Sequence, residues 1–160
     1  MITKTIRSLA SVTLGLFAFS AFAHEAGGPL TDFQKNYLKQ YEGIRAALAA
    51  DDLAAAKKAA STLAATPTEK AANDAEAKRI ANRTSAAKKL GGADSLSAAR
   101  EEFKILSRTA VHLAEGQKGY YRYLCPHVPN DQGKWVQTNQ DISNPYEGKA
   151  MPKCGKELTD

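Results

Sequence analysis

Four residues with metal-binding side chains lie near the C-terminus of the chain: Cys125, His127, Met151 and Cys154. Thiolate, thioether and imidazole groups are ligands that Cu(I), Zn(II) and other soft or borderline ions prefer. Cys125 and His127 are two residues apart, so their side chains share one face if this segment is extended. The four residues therefore predict a soft-metal site, although neither Cys-x-His nor Met-x-x-Cys is a specific pattern by itself.

The first 23 residues have the composition of a secretory signal peptide. Lys4 and Arg7 precede an apolar run over residues 9–22, and Ala21-Phe22-Ala23 has the small-x-small form of a cleavage site. The apolar run is shorter than the roughly 20 residues that a membrane-spanning helix needs. We therefore expect cleavage after Ala23, a single domain over residues 24–160, a periplasmic location and no transmembrane anchor.

Export gives the two cysteines a second interpretation, because disulfides form and persist in oxidising compartments. A Cys125–Cys154 bridge would close a long loop and stabilise the fold by roughly 3 to 4 kcal/mol. In that alternative the C-terminal segment is a protein-interaction module that binds no metal. Trp135 and Tyr146 are expected first to form the core of this segment, and secondarily to present a docking surface to another envelope protein. The residues alone leave both interpretations open.

The remaining histidines are weaker candidates for metal ligands. His24 would supply both an imidazole and an α-amino group at the mature N-terminus, but it begins a segment with the character of a mobile tail. His112 falls near the end of a predicted helix, where it would complement the helix dipole. The chain has no nucleophile motif, phosphate loop or obvious carboxylate pair, so we expect no enzymatic activity.

Apolar residues at helical spacing predict four helices within residues 30–115. The first begins near Thr31 or Asp32 and has an apolar face, and the second is alanine-rich and capped by Asp51 or Asp52. The third spans about 68–90 and stops at Gly91-Gly92. Asp94 or Ser95 caps the fourth. The apolar faces of the first and fourth helices comprise Phe33, Tyr37, Tyr41, Ile44, Leu48, Ala99, Phe103, Leu106, Ala110 and Leu113.

The fold class predicted from these segments is mainly α, an antiparallel four-helix bundle with a small C-terminal cap. Residues 116–160 form that cap, in which Tyr121, Tyr123 and Cys125 alternate as in a strand. Residues 130–133 read as a turn before a second extended segment. The cap is expected to be a β-hairpin and a folded loop that carry both cysteines.

Charge argues against nucleic acid as a partner. Signal cleavage removes two of the 22 basic residues and no acidic one, which leaves 20 basic against 17 acidic residues. The remaining lysines alternate with acidic residues and form no basic block. Binding to nucleic acid or to an anionic membrane is therefore not expected.

The order of motifs in the cap resembles a bacterial exported family catalogued as a domain of unknown function. Tyr-Tyr-x-Tyr-x-Cys-Pro occupies 120–126, Gly-x-Trp occupies 133–135, and Ile-x-Asn-Pro-Tyr-x-Gly-x-x-Met-x-x-Cys-Gly occupies 142–155. The helical segments 46–52 and 103–107 are also similar to that family. The resemblance thus covers most of the mature chain.

This resemblance implies a connection with metals, because the family also occurs fused to periplasmic adaptor subunits of copper and heavy-metal efflux systems. Its members usually have methionine after Cys-Pro, whereas this chain has His127, another metal-capable residue. The expected function is periplasmic metal binding for resistance, buffering or handover to an efflux system. Copper is the expected ion, with zinc or another soft metal as the alternative, and an efflux adaptor or other envelope protein is the expected partner.

Overall fold

A computed structural model describes residues 28–130 and 132–159. It contains α1 (Asp32–Ala49), α2 (Leu53–Ala65), α3 (Asp74–Gly91) and α4 (Leu96–Ala114), followed by strands β1 (Tyr121–Leu124), β2 (Lys134–Gln137) and β3 (Lys156–Glu157). A short 3-10 helix, Gly148–Ala150, precedes β3. The predicted signal peptide and His24 lie outside the described residues. Among the helices that are described, none is long and apolar enough to cross a membrane.

Side-chain caps set where the helices begin. The Thr31 hydroxyl accepts from the Gln34 backbone N–H and the Gln34 side chain accepts from the Thr31 N–H, which forms a capping box. The sequence offered two possible N-caps for α2 and two for α4. The structure shows that Asp52 caps α2 and Ser95 caps α4. The third helix starts later than predicted because Asn73 caps it, leaving the segment after Pro67 non-helical.

The bundle is built around α1 and α4. The whole predicted apolar face of α4 is buried, and so are Tyr37, Tyr41, Ile44 and Leu48 of α1. The Tyr37 hydroxyl donates to the Leu106 carbonyl at 2.6 Å. Phe33 is an exception to the prediction, since 48% of it is exposed. It occupies the first turn of α1, at the edge of the bundle, where it lines an open cleft instead of the core.

The cap is a three-stranded antiparallel sheet with the order β2-β1-β3. Tyr123, in the central strand, pairs with Trp135 on one side and with Glu157 on the other. The predicted hairpin is therefore confirmed. The third strand was not foreseen, because it has only two residues, both exposed and polar, and only its pairing with β1 makes it a strand.

A chain of aromatic rings joins the cap to the bundle. Ring centroids of Tyr41 and Phe103 are 5.2 Å apart, and Phe103 is followed by Tyr146 at 5.7 Å. Trp135 lies 6.2 Å beyond Tyr146 and stacks on Tyr123 at 5.3 Å. These distances are typical of favourable aromatic pairs. The cap and the bundle thus share one core.

This shared core contains Trp135 and Tyr146, as first expected, and contradicts the secondary prediction that they form an interaction surface. Trp135 is 0% exposed and Tyr146 only 7% exposed. The Tyr146 hydroxyl also donates to the Lys134 carbonyl, so its polar group is occupied inside the protein. Burial of these large rings against α4 stabilises the fold more than their exposure to solvent would, and they are unavailable to a partner.

Candidate metal site

The structure brings Cys125, His127 and Cys154 together. One ligand atom from each, the two Sγ atoms and a ring nitrogen, all lie within 4.8 Å of one another. The His127 Nδ1 is 3.7 Å from the Cys154 Sγ. Among the histidine, cysteine and acidic side chains that the structure describes, these three are the group that lies close enough together to hold a metal ion. Three of the four predicted ligands therefore converge.

The two cysteines are free thiols, which contradicts the disulfide alternative. A disulfide requires sulfur atoms about 2.05 Å apart, whereas these two are separate atoms in a cluster that includes the His127 ring. The geometry is that of a ligand set and not of a covalent bridge.

Cys125 is anchored at the end of the hairpin. Its backbone N–H donates to the Gly133 carbonyl at 3.0 Å, and its own carbonyl accepts from the Val128 N–H at 3.3 Å. A Cβ on Gly133 would lie only 2.7 Å from the Val128 Cβ and 2.8 Å from the Cys125 carbonyl oxygen, so only glycine fits there. Cys125 is fully buried, while His127 lies in the exposed turn that follows.

Asn144 positions the other side of the site. Its side-chain amide donates to the Cys154 carbonyl at 2.6 Å, and its side-chain oxygen accepts from the backbone N–H groups of Tyr146 and Glu147 at 2.8 and 3.1 Å. Asn144 is fully buried. It thereby ties the loop before the 3-10 helix to the loop after it. Gly155 completes the packing, because a Cβ there would lie 2.6 Å from the Trp135 ring.

Glu147 places a carboxylate beside the His127 ring, outside the group of three converging ligand atoms. Its Oε1 atom is 3.9 Å from the His127 Nδ1, and its side chain is 27% exposed. Partial burial, the neighbouring Cys125 and the Glu147 charge together hold the pKa of the Cys154 thiol above its ordinary value. A bound cation would offset the last two of these effects, because it stabilises the thiolate form.

Sequence reasoning missed Glu147. The residue is one of 17 acidic residues, and no metal-ligand spacing connects it with Cys125 or Cys154. Its place in the Asn-Pro-Tyr-x-Gly segment, close to a cysteine in the same loop, was the one available signal. Only the fold shows that this carboxylate and the His127 ring are neighbours.

The other predicted ligands lie elsewhere or remain predictions. Met151 follows the 3-10 helix with a partly exposed side chain, and its carbonyl accepts from the Cys154 N–H at 3.2 Å. Its role as a thioether ligand stays a prediction. His112 occupies the last turn of α4, 3.9 Å from the Glu115 carboxylate, and is not one of the three converging groups.

Comparison with known proteins gives a family but no activity. A family model described as "Protein of unknown function (DUF3347)" matches residues 37–120. No curated protein and no solved structure matches the chain. The matched residues cover much of the bundle and end before Cys125. The function must therefore be argued from the site itself.

Proposed function

This chain belongs to the family "Protein of unknown function (DUF3347)", and from that premise we propose that it binds a soft transition metal ion through Cys125, His127 and Cys154. The observation that carries the proposal is the convergence of two sulfur atoms and one ring nitrogen within 4.8 Å. Thiolate sulfur selects Cu(I), zinc and similar ions, and imidazole is compatible with both. We propose copper as the first ion to test.

The exposure of the site supports exchange of the ion instead of permanent retention. Cys125 is buried, but the His127 side chain is 49% exposed and Cys154 is partly exposed. Here one sulfur is buried while the remaining ligands face solvent. This arrangement suits a protein that buffers metal or delivers it to another protein.

We further propose that this exchange takes place in the periplasm and that an efflux adaptor or other envelope protein receives the ion. The support for this step is the signal-like sequence of residues 1–23 and the resemblance of the cap to domains fused with efflux adaptors. Met151, exposed and three residues before Cys154, would provide a soft ligand during transfer.

Anaerobic titration of the reduced protein with Cu(I), against a chromophoric chelator, tests the proposed ligands. We expect one ion per chain for the wild type. Loss of a residue that only supports a metal ligand typically weakens binding by about 10-fold to 100-fold. Cys125→Ser, Cys154→Ser and His127→Ala each remove a direct ligand, so each should weaken binding by more than about 100-fold. His112→Ala is the matched control, because His112 lies at the end of α4 and does not belong to the converging group.

Unchanged stoichiometry and affinity in the Cys125→Ser and His127→Ala proteins would refute the proposed site. Circular dichroism of each variant should show the wild-type helix content, since the three ligands lie outside the four helices. Loss of Cu(I) with intact helices would therefore be loss of ligands and not loss of the fold.

A further inference from the structure

We infer that Glu147 determines which ion the site prefers, because its carboxylate can serve as a fourth ligand to a divalent ion such as Zn(II) but contributes little to the binding of Cu(I). This inference rests on the proposed metal-binding function and extends it to ion selectivity. In the Zn(II) form the ligands are Cys125, His127, Cys154 and Glu147. In the Cu(I) form the two sulfurs and the imidazole are sufficient.

The distances within the site suit a four-coordinate ion. Ligand atoms bound at about 2.0 to 2.3 Å around a tetrahedral ion lie about 3.3 to 3.8 Å from each other. The His127 Nδ1 is 3.7 Å from the Cys154 Sγ and 3.9 Å from the Glu147 Oε1. The same nitrogen therefore has a sulfur and a carboxylate oxygen at nearly the spacing that a shared ion requires. The Glu147 oxygen lies outside the group of three ligand atoms that are within 4.8 Å of one another, so its partly exposed side chain must rotate toward the sulfurs to complete the set.

The backbone keeps Glu147 next to Cys154. The Asn144 side chain accepts a hydrogen bond from the Glu147 N–H and donates one to the Cys154 carbonyl, so one buried residue positions both ligands. Glu147 stands at the N-terminal end of the 3-10 helix, but its side chain makes no capping hydrogen bond there. Its carboxylate instead lies 3.9 Å from the His127 ring.

Ion chemistry gives this carboxylate a selective effect. Zn(II) accepts carboxylate oxygen as well as sulfur and nitrogen, whereas soft thiolate and thioether ligands select Cu(I). Two thiolates and one carboxylate bring three negative charges to the site. A divalent cation neutralises more of this charge than a monovalent one, so the contribution of Glu147 is larger for Zn(II).

Affinities of the reduced protein for Zn(II) and for Cu(I), each from chelator competition, test this inference in Glu147→Gln. Gln is close to Glu in size but has no charge and is a poorer ligand. We expect Zn(II) binding to weaken by roughly 10-fold to 100-fold, with Cu(I) binding within about threefold of the wild type. Glu157→Gln in the exposed strand β3 removes the same charge in the same cap and should change neither affinity.

Each outcome distinguishes this inference from the proposed function. A loss of Zn(II) affinity alone supports Glu147 as a ligand for divalent ions. Equal losses for both ions would overturn the inference and make Glu147 a residue that only orients His127. No change for either ion would overturn it as well. Failure of the wild type to bind either ion would instead refute the metal-binding function itself.

Discussion

Replacing Asn144 with alanine should destabilise the cap, because it removes a buried side chain that holds two loops together. Asn144 is fully buried and its side chain makes three hydrogen bonds to the backbone, at Cys154, Tyr146 and Glu147. Asn144→Ala removes all three at once. It leaves one carbonyl and two N–H groups without these partners, in a region that also positions the candidate ligands.

The size of the effect follows from the burial of each hydrogen bond. The bond to the Tyr146 N–H is buried, and its loss costs about 1 to 3 kcal/mol because the N–H is left unsatisfied. The other two bonds are partly buried, so water replaces part of each and the cost is about 0.5 to 1.5 kcal/mol apiece. The expected total is about 4 kcal/mol, within a range of about 2 to 6 kcal/mol. For a chain of this size, a loss of about 4 kcal/mol lowers the melting temperature by about 8 to 16 °C.

Equilibrium urea unfolding, followed by circular dichroism for the helices and by fluorescence for the cap, measures this loss. Trp135 is the single tryptophan in the chain and is fully buried in strand β2, so its emission reports on the cap. Asn36→Ala is the matched control. Asn36 is exposed on α1 and its side chain accepts one bond from Gln40, so this variant should stay within about 0.5 kcal/mol of the wild type.

A loss below about 1 kcal/mol in Asn144→Ala, or one equal to that of Asn36→Ala, would refute this reasoning. It would mean that water or a relaxed backbone satisfies the freed groups, and that Asn144 does not hold the two loops together. The same variant should also weaken metal binding, because Asn144 positions Cys154 and Glu147. Wild-type affinity in a destabilised variant would separate its structural role from its role in the site.

Two further substitutions test the packing and the electrostatics of the cap. Gly155→Ala places a Cβ 2.6 Å from the Trp135 ring, so it should cost about 1 to 3 kcal/mol and shift the tryptophan emission; an unchanged spectrum and stability would contradict the packing. The pKa of Asp51 is lowered from its ordinary value of 3.8 by the hydrogen bond from the Lys149 N–H and by the Arg100 guanidinium. The stabilisation from Asp51 is therefore complete above pH 3.8 and lost as the pH falls through the lower folded-state pKa. Asp51→Asn should lower the free energy of unfolding by about 1 kcal/mol at pH 7 and should reduce its dependence on pH between pH 5 and pH 2. Identical pH profiles for the variant and the wild type would show that this carboxylate contributes nothing to stability.

The helices were predictable from local signals. A helix buries residues that recur every three or four positions, and the α4 series from Ala99 to Leu113 shows this period without interruption. Caps are equally local, since an Asp or Ser side chain bonds to a backbone N–H three residues later. The error at α3 has the same origin: helix propensity is high from about residue 68, but the cap at Asn73 sets the start.

The cap was less predictable because its contacts are distant in sequence. Tyr146 and Trp135 contain no local sign of whether they face solvent or a helix, and their burial depends on Phe103 in the bundle. Strand β3 exists only because Tyr123 and Leu124 are available to pair with it. Both features belong to the packed molecule and not to any one segment.

The candidate site shows the same division. Residue chemistry by itself determined that two cysteines and a histidine in one segment are a candidate ligand set. The helical spacing of apolar residues in four segments determined the fold class. Only the tertiary structure decided that the two thiols are free, that they converge with the His127 ring, and that Glu147 lies beside that ring. The reason is that ligand chemistry is a property of single side chains. Distance between ligands depends on loops held in place by buried residues such as Asn144 and glycines such as Gly155.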